Sequence, residues 1–174
     1  VKLSAEAKPL QRAIVLITAA QRKGAKCSNA DEMQSLRHCS QALELLSEAE
    51  NLLERNSSTN TALRVRLGLV AALAPLNAIR ALESFNAAVA AINKDVSFDA
   101  ADTNAPRIAS LDDSSDSLLP RPRSGYGLKD AVAPLARIDF DGTIMTAAKL
   151  SAPAVRGTCM LEIARSILSQ KSDK

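Results

Sequence analysis

The side chains best equipped for chemistry sit early in the chain. Cys27, His38 and Cys39 fall close together, and His38 is the single histidine. A thiol and an imidazole are the parts of a metal site or of an activated cysteine nucleophile. Their spacing argues against both. Adjacent positions on a helix point ~100° apart, so His38 and Cys39 converge poorly on one ion. No Cys-x-x-Cys or His-x-x-x-His pair supplies the spacing of a zinc site. The plain reading is a buried Cys39 beside a solvent-facing His38. With Cys159 the cysteines number three, an odd count that makes no disulfide framework. Two arrangements fit: three buried thiols, or a Cys27–Cys39 bridge with one thiol left over. The bridge requires the 27–30 turn to fold back on the following helix.

Asp112, Asp113, Ser114, Ser115 and Asp116 gather oxygen ligands, but without the central Gly and terminal Glu of a calcium loop. They read as a solvated loop. No Gly-rich phosphate loop, Ser-His-Asp set or nucleotide fingerprint is present. No catalytic, cofactor-binding or metal-ligating residue is assigned, and the expectation is a chain that is not an enzyme.

Recognition has more candidates. Leu119-Pro120-Arg121-Pro122-Arg123 is basic and proline-rich. Proline pre-orders such a stretch toward polyproline II geometry, suited to docking or to a stiff connector. Arg64, Arg66 and Arg80 belong to the third and fourth helices; Arg137, Arg156 and Arg165 flank a later hairpin. Such arginines either line a groove for an acidic partner or cap helix ends and pair with carboxylates, at ~0–1 kcal/mol each when exposed. The partner-binding candidates are Arg80, Arg121, Arg123, Tyr126, Arg137 and Arg156.

Composition narrows the partner. Lys and Arg total 22 against 19 Asp and Glu, a net charge of +3, too even to demand nucleic acid. Aromatics make up 2%, so the stacking platforms that single strands need are lacking. No apolar run approaches the ~20 residues that span a bilayer; the longest, 67–76, is interrupted by Gly68 and Pro75. Residues 1–25 lack a signal pattern, because no small-residue cleavage site follows a continuous apolar stretch. A protein or peptide partner is expected, with no nucleic acid, no cofactor and no membrane span. No compartment is assigned.

The elements that must position these residues are helical. The apolar fraction is 47%, drawn almost wholly from Ala, Leu, Ile and Val, and Ala and Leu lose little freedom in a helix. The first helix is predicted over 4–23, with Leu10, Ile14, Ile17 and Ala20 inward and Gly24 as its stop. The second runs from 28 or 29 to 55, with Leu36, Cys39, Leu43, Leu46, Ala49 and Leu53 on one stripe. The third covers 60–76 and is apolar on most sides, the mark of a helix held between neighbours. Asn77 caps the fourth, which should bury Ile79, Leu82, Phe85, Val89 and Ile92 and end near Asn93. Residues 94–126 read as one long irregular loop, with a short helix over 105–111 and some apolar residues, Phe98 among them, pinned to the body. The fifth helix covers 128–137. Asp139 caps the sixth, which presents Phe140, Ile144, Ala147 and Leu150. Pro153 opens the seventh, with Val155, Cys159, Ile163 and Ile167 inward and Met160, Ala164 and Leu168 beside them.

One phrase occurs twice. Ala74-Pro75-Leu76-Asn77-Ala78-Ile79-Arg80-Ala81-Leu82 is echoed by Ala133-Pro134-Leu135-Ala136-Arg137-Ile138-Asp139-Phe140-Asp141-Gly142-Thr143-Ile144. Together with Pro153-Ala154-Val155-Arg156 and Glu162-Ile163-Ala164-Arg165, the later copy resembles degenerate bacterial helical repeats of the tetratricopeptide type. Thr143 stands where that pattern has a small Ala, and the Trp, Leu-Gly and Tyr of its first helix are missing. The resemblance implies stacked helical hairpins and a scaffold role.

The expected fold is therefore all-α: one domain, an irregular solenoid-like stack of about seven antiparallel helices with one long loop. Residues 1–56 form a two-helix unit, 60–94 a hairpin, 95–126 the loop and 127–170 a three-helix unit. The expected function is non-catalytic binding of a protein or peptide. The alternatives are a helical bundle that senses or holds a small molecule, or a segment of a longer repeat array.

Overall fold

Runs of apolar residues spaced three and four apart become helices wherever a cap or a breaker defines their ends. The computed structural model describes residues 7–27, 32–54, 59–95, 98–100 and 126–172. Among them lie seven helices and no strand: α1 (Ala7–Gly24), α2 (Glu32–Glu54), α3 (Asn60–Leu73), α4 (Ala78–Ile92), α5 (Leu128–Ile138), α6 (Phe140–Ala147) and α7 (Pro153–Ser172). The fold is all-α. The 105–111 helix expected from sequence, the Asp112–Asp116 cluster and the Pro-Arg stretch fall outside the described residues.

Local chemistry sets the boundaries. The Thr59 hydroxyl accepts the Ala62 N–H at 3.2 Å and opens α3. Asn77 Oδ1 accepts the Arg80 N–H at 3.1 Å and opens α4. Asp139 Oδ1 accepts the Gly142 N–H at 2.9 Å and opens α6. At α5 the Asp130 carboxylate reaches back to the Gly127 N–H at 3.2 Å. α3 stops at Leu73, short of the expected 76, because Pro75 follows.

α1 and α2 form an antiparallel hairpin. Arg12 pairs with Glu48, and Lys23 Nζ donates to Gln41 Oε1 at 2.7 Å. α3 lies against α1, α2, α4 and α5, and ten of its residues are buried, including Leu63, Leu67, Val70 and Leu73. This is the sandwiched helix that its all-round apolar sequence implies. α4 packs on α5 and α6, and α7 closes on α5 and α6. Among the described residues every helix contacts only helices one or two places away along the chain. Phe85, Leu135, Leu150 and Ile163 anchor the later half of one continuous core, and Phe98 joins it.

Several expected faces are corrected. Ile79 is 73% exposed and Phe140 43% exposed. Each stands in the first turn after a cap, on the side away from the core, while Ala81, Ser84 and Thr143 take the buried positions. Leu36 is exposed, because burial on α2 begins only at Ala42. Ala164 and Leu168 of α7 face outward. The echoed phrase does not share one structure either: Pro75 lies in a turn, whereas Pro134 lies inside α5. What recurs is the capped corner. Asn77 N–H donates to the Leu73 carbonyl, and Asp139 N–H to the Leu135 carbonyl, each at 2.8 Å.

Candidate functional site

The sequence candidates scatter over separate seams. The Arg80 guanidinium reaches across to Glu50 of α2 at 2.8 Å, a partly buried ion pair joining helices that make no closer contact. Arg137, exposed, lies 3.4 Å from the Ser169 hydroxyl and links α5 to α7. Arg156 donates to the Leu150 carbonyl at 3.2 Å and closes the turn between α6 and α7. Each of the three braces a different joint. Arg64 is buried in α3. Tyr126 is not on a rim: it is 2% exposed, in the core. Burial pushes its phenol above the ordinary value, with the Thr18 hydroxyl pulling weakly the other way. That phenol oxygen is buried without reaching hydrogen-bond geometry with any described group. Arg121 and Arg123 lie outside the described residues.

The early cysteines resolve the two arrangements that the sequence leaves open. Cys27 and Cys39 are bonded, with their Cα atoms 5.5 Å apart. The turn after α1 is closed by Lys26 N–H to Lys23 and Cys27 N–H to Gly24, each at 3.0 Å. Ser35 donates its hydroxyl to the Cys27 carbonyl. His38 is half-buried rather than solvent-facing, and its Nδ1 makes no hydrogen bond among the described residues. Cys159 is a free thiol buried in α7, and desolvation pushes it up to about 12. A thiol so raised stays protonated and is a poor nucleophile.

These contacts shape the surface at the start of α2. Since Lys23 meets Gln41, the first turns of α2 run past the end of α1. Met33 is 84% exposed and Leu36 67% exposed there. An open recess of about 570 Å³ is lined by Met33, Gln34, Arg37, Ser40, Gln41 and Glu44. It pairs a flexible thioether with one cation, one anion and two amides, a mixture that can meet an amphipathic segment. The apolar stripe of α2 gives no sign of this surface, since it sets Leu36 inward. The signal in the sequence is the unequal length of the first two helices: a longer helix must project past a shorter partner.

Polar residues also clamp the other end of the molecule. Asn93 donates to the Lys149 carbonyl and accepts from the Ser151 N–H, both at 2.8 Å, and Lys149 Nζ donates to Asn86 Oδ1 at 2.9 Å. Among the described residues no group of three or more His, Cys, Asp or Glu side chains could hold a metal ion. No described helix is long and apolar enough to cross a membrane. Comparisons with protein-family models, curated proteins and solved structures gave no match.

Proposed function

We propose that this chain is a non-catalytic helical scaffold that binds a protein or peptide segment. One observation carries the reading: the projecting start of α2 offers Met33 and Leu36 to solvent beside an open recess with polar walls. Large apolar side chains grouped with adaptable polar ones are typical of recognition surfaces. The bridge and the Ser35 and Gln41 contacts hold that surface against the end of α1, so less order has to be imposed on binding. The tetratricopeptide-like phrases at 137–168 point toward the same class of role.

Selection of displayed peptides against the full oxidised chain tests it. A shared apolar-polar motif should emerge, and its binding should fall at least ~100-fold with Met33→Glu/Leu36→Glu, equivalent to about 2.7 kcal/mol. An enriched motif indifferent to both changes, or no enriched motif, overturns the reading.

A further inference from the structure

α2 is anchored unevenly. Its later turns enter the core through Ala42, Leu46, Ala49 and Leu53. Over 32–41 no residue is buried, and Met33 and Leu36 stand in solvent. Helical propensity alone holds so short a segment only marginally in water. Its order therefore depends on attachments to the end of α1. Lys23 donates to Gln41, and Ser35 donates to the Cys27 carbonyl. Both are single polar contacts between half-buried groups, worth little against competing water. The Cys27–Cys39 bridge is the strong attachment, and it is covalent. It is also the one that chemistry can open. Cys27 and Cys39 are half-buried, whereas Cys159 is fully enclosed. Access governs thiol–disulfide exchange, so the bridge is open to an external thiol in a way that Cys159 is not.

We propose that the Cys27–Cys39 bridge is a redox switch for the start of α2. Closed, it presents the recess; opened by a dithiol, it lets residues 32–41 fray while the rest of the fold stands. One thiolate of the dithiol attacks a bridge sulfur, the Cys27–Cys39 bond breaks, and a mixed disulfide forms. The displaced cysteine takes up a proton. The second thiolate of the dithiol then displaces the other cysteine, which is protonated in turn, and the dithiol leaves as a disulfide. Two electrons and two protons pass to the protein. The effect is local, because Ala42, Leu46, Ala49 and Leu53 keep their packing without the bridge. Of the residues lining the recess, only Glu44 lies beyond the released segment. The switch thus decides whether that surface exists, and its effect on a partner rests on the binding role proposed above. In the opened form a partner must first restore the lost order, so its affinity falls.

Hydrogen exchange of the full chain, first oxidised and then in excess dithiothreitol, tests the switch. Alkylation under denaturing quench should count one thiol before treatment and three after. Protection over 32–41 should fall at least tenfold on reduction and return on reoxidation, with less than about twofold change over 46–53 and 140–147. Peptides selected on the oxidised chain should lose at least tenfold in affinity on reduction and regain it. Cys27→Ser/Cys39→Ser should stay in the loose state at any redox poise. Ser35→Ala/Gln41→Ala, which spares the bridge, should keep most of the oxidised protection and still respond to dithiol. A bridge that stays closed in excess dithiol overturns the proposal, as does unchanged exchange over 32–41 after reduction. Equal quickening in every helix overturns it too, because the bridge then holds the whole fold. A local response with unchanged peptide affinity overturns control of binding. A local response with no selectable peptide overturns the binding role and supports the switch.

Discussion

At the corner between α3 and α4, Asn77 closes onto Leu73 and takes the Arg80 N–H on its side chain. At the corner between α5 and α6, Asp139 closes onto Leu135 and takes the Gly142 N–H in the same way. The two backbones follow one plan, and the third residue after the cap shows where they part. At the first corner it is Arg80, whose side chain crosses a gap to Glu50. At the second it is Gly142, where an added Cβ would lie 2.8 Å from Leu82 Cδ2 and 2.4 Å from Asp139 Oδ2. The residues just before the caps differ too. Leu76 is half-buried and packs over Gly24 at the end of α1, whereas Ile138 is 52% exposed. The first corner is braced from outside by α1 and a long ion pair; the second is pressed from within by α4. A cap fixes the local turn, and the neighbour decides what may stand beside it.

Freeing the end of α1, on which the first corner leans, gives the largest expected effect. Cys27→Ser/Cys39→Ser opens a loop whose ends are 12 residues apart, which should lower the unfolding free energy by about 3 kcal/mol in a denaturant titration. Hydrogen exchange should quicken over 32–41 and stay unchanged over 140–147; equal quickening at both would break the contrast. Gly142→Ala probes the inside press and should cost ~1 kcal/mol, because the Leu82 side chain and the Asp139 carboxylate that caps α6 must shift. Adding Leu82→Ala should make the double variant less destabilised than the sum of the singles, a coupling that a cycle reads directly. Arg80→Ala should be the mildest, at ~0–1 kcal/mol, since the pair is only partly buried. A larger loss there would mean that the first corner depends on Glu50 as heavily as the second depends on Gly142.

The sequence carries the capped ends and the long stripes well. Leu10, Ile14, Ile17 and Ala20 are buried as their spacing predicts, and Asn77, Asp139 and Gly24 mark ends where expected. Such features are local, so a short window contains them. Ile79 and Phe140 defeat the same reasoning, because one turn holds too few residues to fix a face. Leu36 defeats it for another reason: it lies on a proper stripe, but the partner helix stops short of it. Leu168 lies on α7, where two apolar faces overlap and no single stripe can be chosen. The buried Thr143 and Ser166 look polar in sequence, yet they return their hydroxyls to the Asp139 and Ile163 carbonyls at 2.5 and 2.8 Å, which lets a helix interior absorb them. Arg80, Arg137 and Arg156 show that residue type alone cannot separate a brace from a binding contact. The distinction lies in which carboxylate, hydroxyl or carbonyl the tertiary fold brings within reach.

The neighbour-only packing of the helices has a consequence for how the chain comes apart. In a fold knit by contacts between distant segments, the loss of one strand or helix ruins the rest. Here α7 can peel away and uncover α5 and α6 while α1 to α4 keep every helix partner they had. Such a molecule should unravel from its ends in helix-sized steps, and contacts this local favour rapid re-formation once an end is released.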